Sequence, residues 1–315
     1  MGQLVDGTWT NEDRKPGEGG AYQRQASSFR DRIGAHGPFP AEAGRYRLYV
    51  SLACPWAHRT LIFRALKGLG DMIPVSVTHW HMGDQGWGFE DAPGVVPDPV
   101  FGARHLHEVY SQASPGFTGR VTVPVLLDTH TRRIVNNESA EIIRILNDAF
   151  DGIGATPGDY APPDLLPEIE AVNARIYETL NNGVYRCGFA RTQAAYDAAI
   201  LPLFGTLDWL EDRLSRQRFL CGDRITEADW RLFTTLIRFD AVYHGHFKCN
   251  LRRIADYKAL MDHTRSLLHW PGVAGTVDLH HIRHHYYGSH RNLNPSGIVP
   301  AGPILDLGQP GSRGP

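Results

Sequence analysis

Apolar positions along the chain follow two different rhythms, and the change between them divides it. From Arg45 to Leu52 the run is aromatic and aliphatic enough for a strand, and Leu61, Ile62, Ala65, Leu66 and Leu69 then recur at helical spacing over Trp56 to Leu69. Ile73 to Val77 reads as a second short strand. Val121 to Asp128 reads as a third, joined through a hairpin at Thr129 to Arg132 to Ile134-Val135, and Ile142, Ile143 and Leu146 mark a helix near Ser139 to Asn147. Between them, Thr78 to about Gly119 is loop-like and rich in Gly, Pro and Trp, and its length marks it as a functional insertion. The predicted order is β-α-β, insertion, β-β-α.

Past the Pro/Gly-rich run Asp151 to Pro163, a predicted linker, the rhythm becomes helical. Leu166, Ile169, Val172, Ile176 and Leu180 repeat at three and four, as do Leu203, Leu207, Leu210 and Leu214. Thr226-Glu-Ala-Asp229 has the spacing of an N-terminal capping box ahead of Trp230, Leu232, Phe233 and Leu236. The predicted organisation is an irregular extension over 1–44, an α/β domain over 45–150, a linker over 151–163, a helical domain over 164–277 and an irregular tail over 278–315. That tail opens on the cluster His280-His281-Ile282-Arg283-His284-His285-Tyr286-Tyr287.

The 315 residues suffice for two such domains, each with its own core, and 42% hydrophobic with 21% charged residues is the composition of a soluble globular chain. No apolar run is long enough to span a bilayer, and a net charge of −2 without a basic stripe argues against nucleic acid. The first ten residues lack the basic and apolar blocks of a secretory signal, so a cytoplasmic location is expected. Four cysteines, at 54, 187, 221 and 249, form neither a disulfide framework nor a C-x-x-C pair. No glycine-rich phosphate motif occurs, and no nucleotide is expected.

One cysteine stands in a chemical context. Cys54-Pro55-Trp56-Ala57 falls between strand and helix, and Pro55 suits a first helical position because its missing N–H is one the helix leaves unpaired. Cys54 then caps the helix, where the dipole and unpaired N–H groups favour the thiolate. Ala57 stands where a resolving thiol would be, so a covalent intermediate must be resolved by an external thiol. A buried packing thiol is the competing reading, and it is the one taken for Cys187, Cys221 and Cys249. Val123-Pro124 interrupts an apparent strand, which predicts an edge strand, often with a cis bond, whose free backbone could pair with an extended peptide. Glu138-Ser139 opens the next helix, where a ligand carboxylate or ammonium could be held, or where the pair serves as an ordinary cap. His280/His284 and His281/His285 have a spacing that could hold a metal, but without an acidic partner they read as solvated or packing histidines, and no metal is expected.

Together these pieces resemble the thioredoxin-like glutathione transferase superfamily. Ser51 to Arg59, Gly119 to Asp128, Ile134 to Ser139, Asn181 to Tyr185, Phe189-Ala190, Ala228 to Leu232 and the Arg283 to His290 segment narrow the likeness to its Xi class, the glutathionyl-hydroquinone reductases. The resemblance implies an α/β thioredoxin-like N-terminal domain, an all-α C-terminal domain, a homodimer and glutathione as co-substrate. It also implies reduction of glutathionyl-hydroquinones through a Cys54–glutathione mixed disulfide, which a second glutathione resolves. Carried over to matching positions, Cys54 is the nucleophile, Val123 pairs with the glutathione backbone, and Glu138 and Ser139 hold its γ-glutamyl end. Trp87 lies over glutathione, Arg104 meets its glycine carboxylate, and Tyr185 and Tyr286 line the hydroquinone pocket. Leu127 departs from the tryptophan the family often has. A general glutathione-dependent thiol transferase or dehydroascorbate reductase would use the same mixed disulfide, and a non-catalytic binding protein would not need the thiolate at all.

Overall fold

The structure, a computed structural model, describes residues 2–11, 17–34 and 37–314. The chain forms two compact units. The first contains residues 2–11, 25–34, 37–158 and 276–285. It opens on β1 (Gln3–Val5) and β2 (Thr8–Thr10), followed by β3 (Tyr46–Val50), α1 (Pro55–Leu66), β4 (Val75–Val77), α2 (Leu106–Ala113), β5 (Gly119–Arg120), β6 (Val125–Asp128), β7 (Arg133–Asn136) and α3 (Ser139–Asp148). Four strands make the main sheet in the order β4-β3-β6-β7, with β4 parallel to β3 and the remaining pairs antiparallel. Leu48, Val50, Ile62, Leu126, Ile142, Ile143 and Leu146 are buried in this unit, and α1 packs against α3.

Three expectations for this unit are corrected. The extension over 1–44 is not wholly irregular: Asp6 and Gly7, at φ 48° and 77°, make the two-residue turn that an Asp-Gly pair favours, and β1 joins β5 in a small sheet of order β2-β1-β5. The insertion over Thr78 to Gly119 contains α2. Val121 to Asp128 is not one edge strand. Only Val125–Asp128 joins the main sheet, at an interior position, while Val123-Pro124, whose peptide bond is cis, lies just ahead of it. Pro124 is tolerated because it sits before the ladder begins and removes no ladder hydrogen bond.

The second unit contains residues 17–24, 159–275 and 286–314. Its helices are α4 (Leu166–Ile176), α5 (Gly183–Gly188), α6 (Gln193–Arg216), α7 (Glu227–Arg238), the three-residue α8 (His244–His246) and α9 (Lys258–Leu268). Ile169, Val172, Ile176, Leu203, Leu207, Leu210, Trp230, Leu232, Phe233 and Leu236 are buried, as the three-and-four spacing predicts. The capping box forms, with the Thr226 N–H donating to Asp229 Oδ2 at 2.9 Å and the Leu220 N–H to Oδ1 at 2.8 Å. Burial raises the Asp229 carboxyl to about 6 in spite of these donors. The tail expected to be irregular over 278–315 instead begins with α10 (Leu279–Ser289). Its residues up to His285 belong to the first unit and those from Tyr286 to the second. Among the described residues no helix is long and apolar enough to cross a membrane.

Candidate active site

Sheet topology collects the first group of side chains. β3 ends at Val50 and leads to Cys54; β6 starts at Val125, which pairs with Tyr49, just after Val123; β7 ends at Asn136, which pairs with Leu126, just before Glu138. The antiparallel β6 between two co-directional neighbours therefore brings Cys54, Val123 and Glu138 to the same end of the sheet. Cys54 is the N-cap of α1, Pro55 is its first residue, and Cys54 Sγ lies 3.7 Å from the Val123 carbonyl oxygen. Among the described residues the backbone N–H groups of Val123 and Ser139 have no partner, so an unpaired donor stands on either side of the cleft between strand and helix.

Glu138 is half-buried and caps α3, accepting from the Ala140 N–H at 3.2 Å and from Ser27 Oγ at 2.9 Å. The capping reading of Glu138 is therefore correct as far as it goes, and one of its oxygens also faces Ser27. Ser139 is buried and accepts from Arg59 Nη1 of α1 at 3.4 Å; the Arg59 guanidinium lies 4.5 Å from the Trp56 ring. A buttress that the pattern did not reveal stands behind both segments: the Tyr110 hydroxyl on α2 donates to the Thr122 carbonyl at 2.9 Å and accepts from Asn137 Nδ2 at 3.2 Å. Burial raises its pKa. The apolar spacing of Leu106, Val109 and Tyr110 was the available signal, hidden in a stretch whose Gly and Pro content reads as loop.

Trp87 and Arg104 share the insertion between β4 and α2. Trp87 is buried, its carbonyl accepts from the Leu106 N–H at 2.8 Å, and its ring stacks on His285 with centroids 4.8 Å apart. His285 Nδ1 donates to the Trp80 carbonyl at 2.8 Å and His281 Nε2 to that of Pro93 at 2.9 Å, so these histidines pack the insertion against α10. The Arg104 side chain is exposed, and its guanidinium has no partner among the described residues.

The tyrosines belong to the second unit. Tyr185 on α5 and Tyr286 on α10 share a hydrogen bond of 2.6 Å, and Tyr286 shares a second of 3.0 Å with Tyr243, which the sequence pattern did not single out. Tyr243 closes a π-helical turn over Phe239–Tyr243, and a second such turn over Tyr177–Asn181 precedes α5. Burial, then the neighbouring Tyr185 and Tyr243 hydroxyls, raise Tyr286 well above the usual tyrosine value, against an opposing contribution from Arg238. Tyr286 thus stays protonated in the middle of a three-hydroxyl chain. Cys187, Cys221 and Cys249 are buried, and burial pushes Cys221 up to about 12 and Cys249 well above the usual thiol value.

Residues 53–149 match the model for the glutathione S-transferase N-terminal domain and residues 193–266 that for the C-terminal domain. The glutathionyl-hydroquinone reductase PcpF of Sphingobium chlorophenolicum is 57% identical over 98% of this chain and 98% of its own. The glutathionyl-hydroquinone reductase YqjG of Escherichia coli is 51% identical, covering 99% and 98%. Its glutathione-bound structure superposes with a TM-score of 0.92 over 99% of each chain, at 48% identity. A Xi-class transferase from Natrialba magadii superposes with a TM-score of 0.93 over 99% of this chain and 96% of that one, at 46% identity. Full-length likeness at this level, on a thioredoxin-like unit followed by a helical one, makes the chain a member of the Xi class of glutathione transferases.

Proposed function

We propose that this protein reduces glutathionyl-hydroquinones to hydroquinones at the expense of glutathione. The observation that carries the reading is the position of Cys54, a helix-capping thiol 3.7 Å from the carbonyl of Val123, whose own N–H is unpaired among the described residues. A tripeptide running antiparallel past Val123 satisfies that N–H as an added strand would, and its cysteine sulfur is then held beside Cys54. The γ-glutamyl end goes to Glu138 and Ser139, Trp87 lies over the tripeptide, and Arg104 meets its glycine carboxylate. The names of the full-length relatives from Sphingobium chlorophenolicum and Escherichia coli support the substrate class.

In the first step the Cys54 thiolate, favoured by the N-terminus of α1, attacks the thioether sulfur. The sulfur–carbon bond breaks, its electron pair goes to the ring carbon, and that carbon takes a proton supplied by Tyr185 or Tyr286, leaving the hydroquinone and a Cys54–glutathione disulfide. In the second step a glutathione thiolate attacks the glutathione sulfur of that disulfide, releasing oxidised glutathione and the Cys54 thiolate. The thioether sulfur and one free glutathione thiol thus give up one electron each as they join in the disulfide, and one carbon–sulfur bond is replaced by carbon–hydrogen. A homodimer in the cytoplasm belongs to the same reading.

Steady-state rates on a panel of glutathionylated hydroquinones, with products identified by mass spectrometry, test the proposal against a general thiol transferase. Faster turnover of the thioethers than of a glutathione mixed disulfide is the expected result. Turnover of the disulfide alone would replace the reading with the transferase.

A further inference from the structure

Outside the cleft, one cluster of ligating side chains has no part in the chemistry above. His105, His107 and Glu108, at the start of α2, place one donor atom each within 4.8 Å of one another, and all three are half-buried. We propose that they bind a divalent first-row transition-metal cation, with Zn2+ the best match to two imidazoles and a carboxylate.

The geometry is already near that of such a centre. Tetrahedral ligands about 2.0–2.1 Å from zinc lie roughly 3.3 Å apart. His105 Nδ1 and Glu108 Oε1 are 3.2 Å apart, so this pair already has the required bite. His105 Nε2, on the far side of the ring, lies 3.6 Å from Glu90 Oε1, a small side-chain movement from the carboxylate–imidazole hydrogen bond that orients a metal-bound histidine. The third ligand, His107, now shares its Nε2 with Gln85 Oε1 at 3.2 Å and stacks on Trp9 with ring centroids 4.6 Å apart, so completing the set takes a shift of this one ring against its exposed hydrogen bond and its stacking contact. Two imidazoles and one carboxylate leave the fourth position to water, the donor set of an open zinc site.

An ordinary capping role accounts for only part of the cluster. Glu108 Oε2 accepts from the Arg104 N–H at 3.0 Å, which is a capping contact, but Oε1 is paired with His105 Nδ1, and the His105 side chain, at the N-cap, makes no bond to the helix backbone. Gly88 bridges to His105 and the Leu106 N–H holds the Trp87 carbonyl, so a cation bound at the start of α2 stiffens the end of the helix on which the Trp87 segment hangs.

Metal uptake by the full-length protein tests this without reference to turnover. In a Cys54→Ser background, which removes the accessible thiolate, Co2+ is expected to bind once per chain with the intense visible bands of a tetrahedral site and no thiolate charge-transfer band, and Zn2+ to displace it. The Zn2+ Kd should rise at least about tenfold in His105→Ala and in His107→Ala, with circular dichroism unchanged. Weak octahedral bands, no uptake, or equal affinity in a folded variant lacking both imidazoles would each overturn the proposal.

Discussion

The Tyr110 hydroxyl donates to the Thr122 carbonyl at 2.9 Å, and so a buried side chain from α2 fixes the backbone one residue before Val123. The same oxygen accepts from Asn137, one residue before Glu138. Tyr110→Phe therefore loosens both sides of the glutathione cleft at once. An unsatisfied buried carbonyl costs about 1–3 kcal/mol, which should appear as a lower denaturant midpoint at unchanged slope. The glutathione KM should rise more than kcat falls. A variant with wild-type KM would show that the two segments hold their places without the buttress.

Cys54→Ser is expected to keep glutathione affinity, since Val123, Glu138, Ser139 and Trp87 are untouched, and to lose nearly all reductase activity because a serine hydroxyl cannot attack sulfur at a useful rate near neutral pH. Wild-type protein treated with conjugate in the absence of free thiol should gain one glutathione by intact-protein mass spectrometry and lose it when reduced glutathione is added. Appreciable turnover by the serine variant, or no adduct on wild type, removes Cys54 as nucleophile.

Tyr286 stands between Tyr185 and Tyr243, so its removal breaks two hydrogen bonds and removal of Tyr185 breaks one. Tyr286→Phe should lower kcat more than Tyr185→Phe, with glutathione KM little changed in both, because the residues proposed to hold the tripeptide belong to the other unit. Wild-type turnover in both variants would leave neither tyrosine a part in proton transfer.

His263, wholly buried on α9, lies 3.5 Å from Asp229, and burial, with Arg313 nearby, pushes it down from 6.5 to about 3. The unfolded chain takes up that proton first, so His263 costs nothing above pH 6.5 and destabilises by about 1.4 kcal/mol per pH unit as the pH falls from there toward 3. Asp229, raised to about 6, has the opposite sign: stability it withholds at neutral pH returns between pH 6 and its unfolded value of 3.8. The two slopes offset over that interval, and His246, pushed down to about 4 by burial, leaves a net loss on acidification. His263→Leu should lose less stability than wild type between pH 6.5 and 4 in urea titrations. Parallel pH dependence in the two proteins would show that His263 is not protonated differently on folding.

The two-unit plan was legible because period is a local property. Leu203, Leu207, Leu210 and Leu214 specify one helical face wherever the helix packs, and Thr226 with Asp229 caps α7 within four residues. The strand–Cys54–Pro55–helix passage is equally local. The turn at Asp6-Gly7 carries an equally local hairpin signal, masked by its polar surroundings. α2 and α10 are illegible for a different reason: Gly and Pro around α2 read as loop, and the histidines along α10 are held by partners far away in the chain, His285 and His281 bonding the carbonyls of Trp80 and Pro93.

The sequence by itself determined most of the element types, α2 and α10 excepted, the change from mixed to helical architecture and the identity of the capping thiol, since each depends on residues a few positions apart. Only the tertiary structure decided what stands beside that thiol. The place of β6 inside the sheet sets Val123 against Cys54 from 69 residues away, Tyr110 holds Thr122 and Asn137 together, and Tyr243 joins Tyr286 across 43 residues. Such pairings depend on strand order and helix packing, which sum weak preferences over the whole chain, and a spacing rule that looks a few residues ahead carries no information about them.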